Sequence, residues 1–237
     1  MSAGAVAWHD VEHGAYEADL PLWRDLADAA DGPILDLGAG TGRVAVDLAS
    51  RGHELVAVDT DSELLGALAA RSPAVTTVAA DVRSFDLRRT FALVLAPMQL
   101  VQILGGRDSR LAMLARVHAH LDPGGTFAAA LAEPRDAVDD EHTAPPLPDM
   151  LESDGWVLSS LPVSIEERDG TVVVTRRRLA VSPAGELSED TVEIVFDLVS
   201  GAEFDDEARA AGLTPVERLA VPETRDHIGS TVIVCRR

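Results

Sequence analysis

Short apolar runs alternate with helical segments through the first 131 residues, and this alternation constrains the fold more than any other feature. Ile34–Leu37, Leu55–Val58, Val75–Ala79, Phe91–Ala96 and Thr126–Leu131 read as strands. Between them, helical spacing is predicted over residues 15–30, Val44–Arg51, Ser62–Arg71 and Ser109–Leu121. Gly52 follows one helix as its stop, and Asp61 or Ser62 caps the next. Strands that alternate with helices form a parallel sheet covered on both faces. The unbroken apolarity of Phe91–Ala96 suits a strand buried on both sides.

The alternation then stops. Residues 134–150 hold several prolines and acids and read as a long loop. From Trp156 the pattern becomes that of antiparallel strands. Val163–Arg168 and Thr171–Leu179 flank Asp169-Gly170, a two-residue hairpin signal, and Val192–Val199 supplies a third strand. A helix at Ala202–Ala211 and strands at Val216–Leu219 and Thr231–Cys235 return to the first pattern. The expected organisation is therefore an N-terminal helical cap (1–30), an α/β core (31–133), a loop with an antiparallel insert (134–200) and a closing segment (201–237).

Composition excludes several chemistries. The 237 residues contain no Lys and no Asn, so every basic side chain other than histidine is Arg. Schiff-base enzymes and Walker-type phosphate loops both need Lys. With 40 Asp and Glu against 20 Arg, the formal charge is -20. That excess speaks against a nucleic-acid backbone as partner. A single cysteine, Cys235, excludes a disulfide framework and a Cys-rich zinc site. No signal peptide or bilayer-length apolar run is visible, so a cytoplasmic protein without a membrane partner is expected.

The chemistry gathers at strand ends. Asp36-Leu37-Gly38-Ala39-Gly40-Thr41-Gly42-Arg43 joins the first strand to its helix, on the edge where open parallel sheets bind ligands. Its spacing is G-x-G-x-G, whereas a dinucleotide turn has G-x-G-x-x-G. Asp59 ends the second strand and can accept from two ribose hydroxyls. Asp81 ends the third and can accept from an exocyclic amine, with Val82 beside a purine edge. Each acid alone could equally cap the following helix. Three in successive strand-end positions describe a nucleoside site without a phosphate grip.

These residues, with Leu121-Asp122-Pro123-Gly124-Gly125, resemble the class I S-adenosylmethionine-dependent methyltransferases over about residues 31–133. The resemblance implies a doubly wound, mostly parallel, seven-stranded Rossmann-like sheet with an inserted antiparallel β-meander. It implies S-adenosylmethionine as cofactor, with Asp36, Gly38, Ala39, Gly40, Gly42 and Arg43 at its methionine part. Asp59 would hold the ribose, Asp81 and Val82 the adenine, and Pro97 would border the methyl group. The insert looks like that of small-molecule methyltransferases, where it roofs the acceptor or forms a dimer contact.

The acceptor follows by elimination. Ala96-Pro97-Met98-Gln99 lacks the aromatic that stacks on a flipped base, and no cysteine lies nearby. The Lys and Asn of magnesium-dependent catechol-type enzymes are absent. A metal-independent, in-line transfer to N or O of a small molecule remains, catalysed chiefly by positioning. Tyr16 is read as a cation–π or hydroxyl contact for the sulfonium, or as a structural anchor. His227 and Glu133 are candidate bases, the first tuned by Asp226 or Arg225; Gln99 and Gln102 are candidate acceptor contacts. His9 and His13 stand four apart, as on one helix face, and suit a lid or a metal-binding start. Arg176-Arg177-Arg178 reads as an acid-paired or solvated strand edge. Two alternatives stay open: a methyltransferase-like binding protein without turnover, and an NAD-dependent oxidoreductase with a degenerate turn.

Overall fold

The computed structural model describes residues 3–132, 147–224 and 227–237. Helices α1 (Ala5–His13) and α2 (Leu20–Asp28) come first, followed by β1 (Ile34–Leu37), α3 (Arg43–Ser50), β2 (Leu55–Asp59), α4 (Ser62–Arg71), β3 (Thr76–Ala79) and β4 (Phe91–Ala96). A 3-10 turn at Leu100–Gln102 leads to α5 (Arg107–His120) and β5 (Leu121–Ala132). Strands β6 (Asp149–Ser153), β7 (Trp156–Arg168), β8 (Thr171–Val181) and β9 (Leu187–Asp197) follow, and α6 (Gly201–Ala210), β10 (Thr214–Val221) and β11 (Ser230–Arg236) end the chain.

Seven strands pair in the order β10-β11-β5-β4-β1-β2-β3. β1 to β5 are parallel, and β11 runs antiparallel to both of its neighbours. The sheet is therefore the expected mostly parallel one of seven strands. Successive side chains of a strand point to opposite faces, and the two halves of the core show it. Val94 and Ala96 of β4 pack with Met113, Leu114 and Val117 of α5 and Phe204 of α6. Leu93 and Leu95 pack on the other side with Trp23 of α2, Leu48 of α3 and Leu68 of α4. Burying each of the valine, leucine, methionine and phenylalanine side chains contributes about 1.5–3 kcal/mol.

The insert is a separate antiparallel sheet of four strands, β6-β7-β8-β9, where three were expected. β6 escapes sequence reading because it is short and acidic and follows Pro145, Pro146 and Pro148. β7 begins seven residues before the anticipated Val163 and continues through Pro162, where the pairing register shifts by a bulge. A bulge accommodates proline because it already interrupts the ladder.

Two buried ionic clusters tie these layers together. Arg110 of α5 makes a two-pronged bond to Glu207 of α6, each at 2.8 Å, and also donates to Asp197 at the end of β9. Arg43 of α3 makes a similar pair with Asp19, at 2.6 and 2.8 Å, and donates to the Tyr16 carbonyl. Asp19 further accepts from the fully buried indole of Trp23. The second cluster fixes the N-terminal segment across the glycine turn. No helix among the described residues is long and apolar enough to cross a membrane.

Candidate active site

The glycine turn follows from steric constraints. Gly38, Gly40 and Gly42 have φ of 65°, 54° and 92°, where a side chain is strained. A Cβ on Gly40 would lie 2.2 Å from His9 Nε2, and one on Gly42 2.2 Å from Leu68 Cδ1. Gly38 lines the cavity above the turn, whereas Gly40 and Gly42 do not; their part is to let His9 and Leu68 close in. The turn is held by Asp59, whose Oδ2 accepts from the Gly40 N–H at 2.8 Å and whose Oδ1 accepts from the Asp61 N–H.

The cavity itself measures about 450 Å³ and is lined by Asp36, Gly38, Ala39, Arg43, Asp59, Asp81, Val82 and Pro97, among others. Asp36 is buried, and its Oδ1 has no hydrogen-bond partner. Burial, with Asp59 and Asp19 nearby, pushes its carboxyl up to about 7 despite Arg43 and the Ala45 N–H. An acid with one oxygen unpartnered beside a glycine cradle suits a ligand that brings a positive charge. Asp81 is engaged by Arg83 through the backbone N–H and the guanidinium, which holds its carboxyl below the usual range. The Arg43 guanidinium is likewise committed to Asp19 and Tyr16, so it anchors the N-terminal segment rather than reaching freely into the cavity. The donor set and the cradle fit an adenosyl sulfonium cofactor.

A second cavity of about 250 Å³ lies beneath the antiparallel sheet. Ile165, Val174, Ile194 and Phe196 of the insert give it apolar walls, while Glu12, Asp149 and Arg176 add charge. Arg176 pairs with Asp149 and donates to the Ser160 hydroxyl, and Arg178 makes a two-pronged bond to Glu12 at 2.8 and 2.7 Å. Two of the three consecutive arginines are thus acid-paired. Desolvation raises Asp149 in spite of Arg176.

Helix α1 spans both regions. Asp10 pairs with Arg71 of α4 and accepts from the Thr41 hydroxyl at 2.7 Å, while Glu12 joins Arg178 and Ser160 of the insert. These tethers place two histidines in the site. Thr41 Oγ1 gives its one hydrogen to Asp10, so at 3.1 Å His9 Nδ1 must donate to it, which leaves the His9 Nε2 lone pair over Gly40. The His13 ring meets the His9 ring edge-on at 4.7 Å. Burial, together with His9, Arg176 and Arg43, lowers His13 to about 4 against the pull of Glu12.

The remaining expected residues fall as follows. Tyr16 lines the insert-side cavity and not the glycine-turn cavity, its ring 4.8 Å from that of His227. His227 lines that same cavity, and its backbone N–H donates to the Thr224 hydroxyl. Gln99 borders both cavities. Gln102 does not act as an acceptor contact: it is buried, and both ends of its amide bond the Ala132 backbone at 2.9 Å, pinning the end of β5. Glu133, Arg225 and Asp226 lie outside the described residues. No cluster of three or more His, Cys, Asp or Glu able to hold a metal occurs among the described residues, and His9 faces Thr41 instead. Sequence reading missed His13, Asp149, Ile194 and Phe196 as site residues; only the four-residue spacing of His9 and His13 pointed to any of them.

Fold and site together resemble those of a methyltransferase domain. Residues 34–125 match the family model described as a methyltransferase domain. The chain is 30% identical over 120 residues to the cypemycin N-terminal methyltransferase of a Streptomyces species. That match covers 49% of each chain, so it spans about half the length of that relative. Among solved structures, the fold is similar to the sugar N-methyltransferase KedS8 from Streptoalloteichus sp ATCC 53650, with TM-score 0.77, 19% identity, and 100% of this chain and 94% of that one covered. It is also similar to CalS10, an amino pentose methyltransferase from Micromonospora echinaspora, with TM-score 0.72, 20% identity, and coverage of 100% and 98%.

Proposed function

We propose that the protein transfers a methyl group from S-adenosylmethionine to a nitrogen or oxygen of a small molecule held under the antiparallel sheet. The observation that carries this reading is the pair of adjoining cavities. One is built on the glycine turn with Asp36 and Asp59; the other is roofed by the insert; and they share a wall. Bound in the first cavity, the cofactor supplies an electrophilic methyl group. Asp59 retains acceptor capacity for ribose hydroxyls while it holds the turn, and Asp36 faces the positively charged amino-acid end. Apolar walls in the second cavity exclude water and hold the acceptor in line, which is where most of the rate enhancement arises.

Nitrogen is favoured as the attacking atom. A neutral amine needs no base, whereas a hydroxyl gains from one. The relatives named as a sugar N-methyltransferase and an N-terminal methyltransferase support the same choice. His227 and Tyr16, whose rings meet at a tilt at the insert-side cavity, would contact the acceptor. Calorimetric titration with S-adenosylhomocysteine tests the cofactor site, and release of that product on incubating S-adenosylmethionine with an amine panel tests turnover. Absence of binding by the folded protein contradicts the reading.

A further inference from the structure

Methyl transfer has to cross the wall between the two cavities, so the residues that line both are the ones in position to act on it. They are His13, Met98, Gln99, Ile194 and Phe196. Three are apolar, and Gln99 is a neutral amide. His13 is the only ionisable side chain among them. It stands in the last turn of α1, which Asp10 ties to the core and Glu12 to the insert, so its ring is held from both sides.

Building on the methyl-transfer reading, we propose that His13 positions the attacking atom by accepting a hydrogen bond from the N–H of a neutral amine acceptor at the boundary of the two cavities. The imidazole offers one lone pair when uncharged, and a hydrogen bond drawn toward it turns the acceptor's own lone pair toward the methyl group. The carbon–sulfur bond breaks with its electron pair staying on sulfur as the new carbon–nitrogen bond forms. The acceptor proton remains on the product ammonium and departs with it, so His13 need not carry a charge.

The charged surroundings fit this role. His9 and Glu12 of α1, Arg43 of α3 and Arg176 of β8 all act on His13, and the cationic groups together with burial hold it neutral. A neutral imidazole does not repel a neighbouring sulfonium, whereas an imidazolium would.

Sinefungin provides the test, because it carries an amino group where the cofactor has its transferable methyl. Wild-type protein, His13→Phe and His13→Gln are titrated with sinefungin and with S-adenosylhomocysteine, and thermal melting checks folding. The phenylalanine variant is expected to bind S-adenosylhomocysteine within about twofold of wild type and sinefungin about tenfold more weakly, the effect of one lost charge-assisted hydrogen bond. Glutamine, whose amide oxygen can still accept, restores most of the difference. Equal losses for both ligands, or none, overturn the assignment. If the wild-type protein binds neither ligand, the methyl-transfer reading fails first.

Discussion

Asp36 makes the unliganded protein less stable as the pH rises, and Asp36→Asn exposes this. Its carboxyl ionises at about 7 when folded and at about 3.8 when unfolded. Between those values the folded state holds the extra proton, so stability falls as pH rises and levels off above 7. At 1.36 kcal/mol per unit, a shift of about three units amounts to about 4 kcal/mol at pH 8. The asparagine can still accept from the Ala45 N–H, but its amide replaces the partnerless Oδ1 with another unpaired group, at a cost of about 1–3 kcal/mol. A net gain of about 1–3 kcal/mol at pH 8 is therefore expected, with no gain at pH 4, where Asp36 is protonated in the folded state. His13 acts in the opposite sense. Its folded value of about 4 lies below the ordinary 6.5, so its contribution rises with pH between the two. The wild-type profile is thus partly cancelled, and the difference between variant and wild type isolates Asp36. Urea unfolding at pH 4, 6 and 8 measures that difference. A variant less stable than wild type at pH 8, or a difference that does not grow with pH, refutes the argument. S-adenosylhomocysteine should bind the variant more weakly, because its ammonium loses the carboxylate partner.

Three further outcomes follow from single contacts. Asp59→Ala removes the Gly40 bond and the hydroxyl acceptor together, and should weaken S-adenosylhomocysteine binding by about 1–3 kcal/mol in calorimetry; unchanged affinity would remove Asp59 from the site. Arg110→Met leaves Asp197 without its arginine and Glu207 with Arg107 at 3.9 Å in place of a two-pronged partner, and should cost about 3–5 kcal/mol in urea unfolding. A loss under about 1 kcal/mol there would mean that water reaches the pair. His227→Ala should slow turnover of a responsive amine and leave cofactor affinity unaltered; equal turnover would place His227 outside acceptor contact.

The sequence made the parallel core legible because that core is repetitive: β1, β2 and β4 are short apolar runs bounded by turn residues, and each is followed by a helix or turn before the next strand. The glycine turn was readable for a related reason, since a positive φ at Gly38, Gly40 and Gly42 leaves few alternatives to glycine. The insert was harder to read. Its strands are amphipathic and acid-rich, and β6 and the first half of β7 gave no clean alternation around Pro162. Non-local pairing accounts for the misassigned polar residues. Gln102, read as an acceptor contact, bonds Ala132, thirty residues away, and Glu12, given no role by the sequence, bonds Arg178, 166 residues away; no window of sequence holds both partners. His13 belongs to the same class, because its importance comes from α1 lying where two cavities meet.

A crystal structure of the complex with S-adenosylhomocysteine measures the central claim most directly. The account predicts the ribose hydroxyls on Asp59, the ammonium near Asp36, and the sulfur facing the wall formed by His13, Met98, Gln99, Ile194 and Phe196. Ligand density in the insert-side cavity, or a sulfur turned away from that wall, would contradict it.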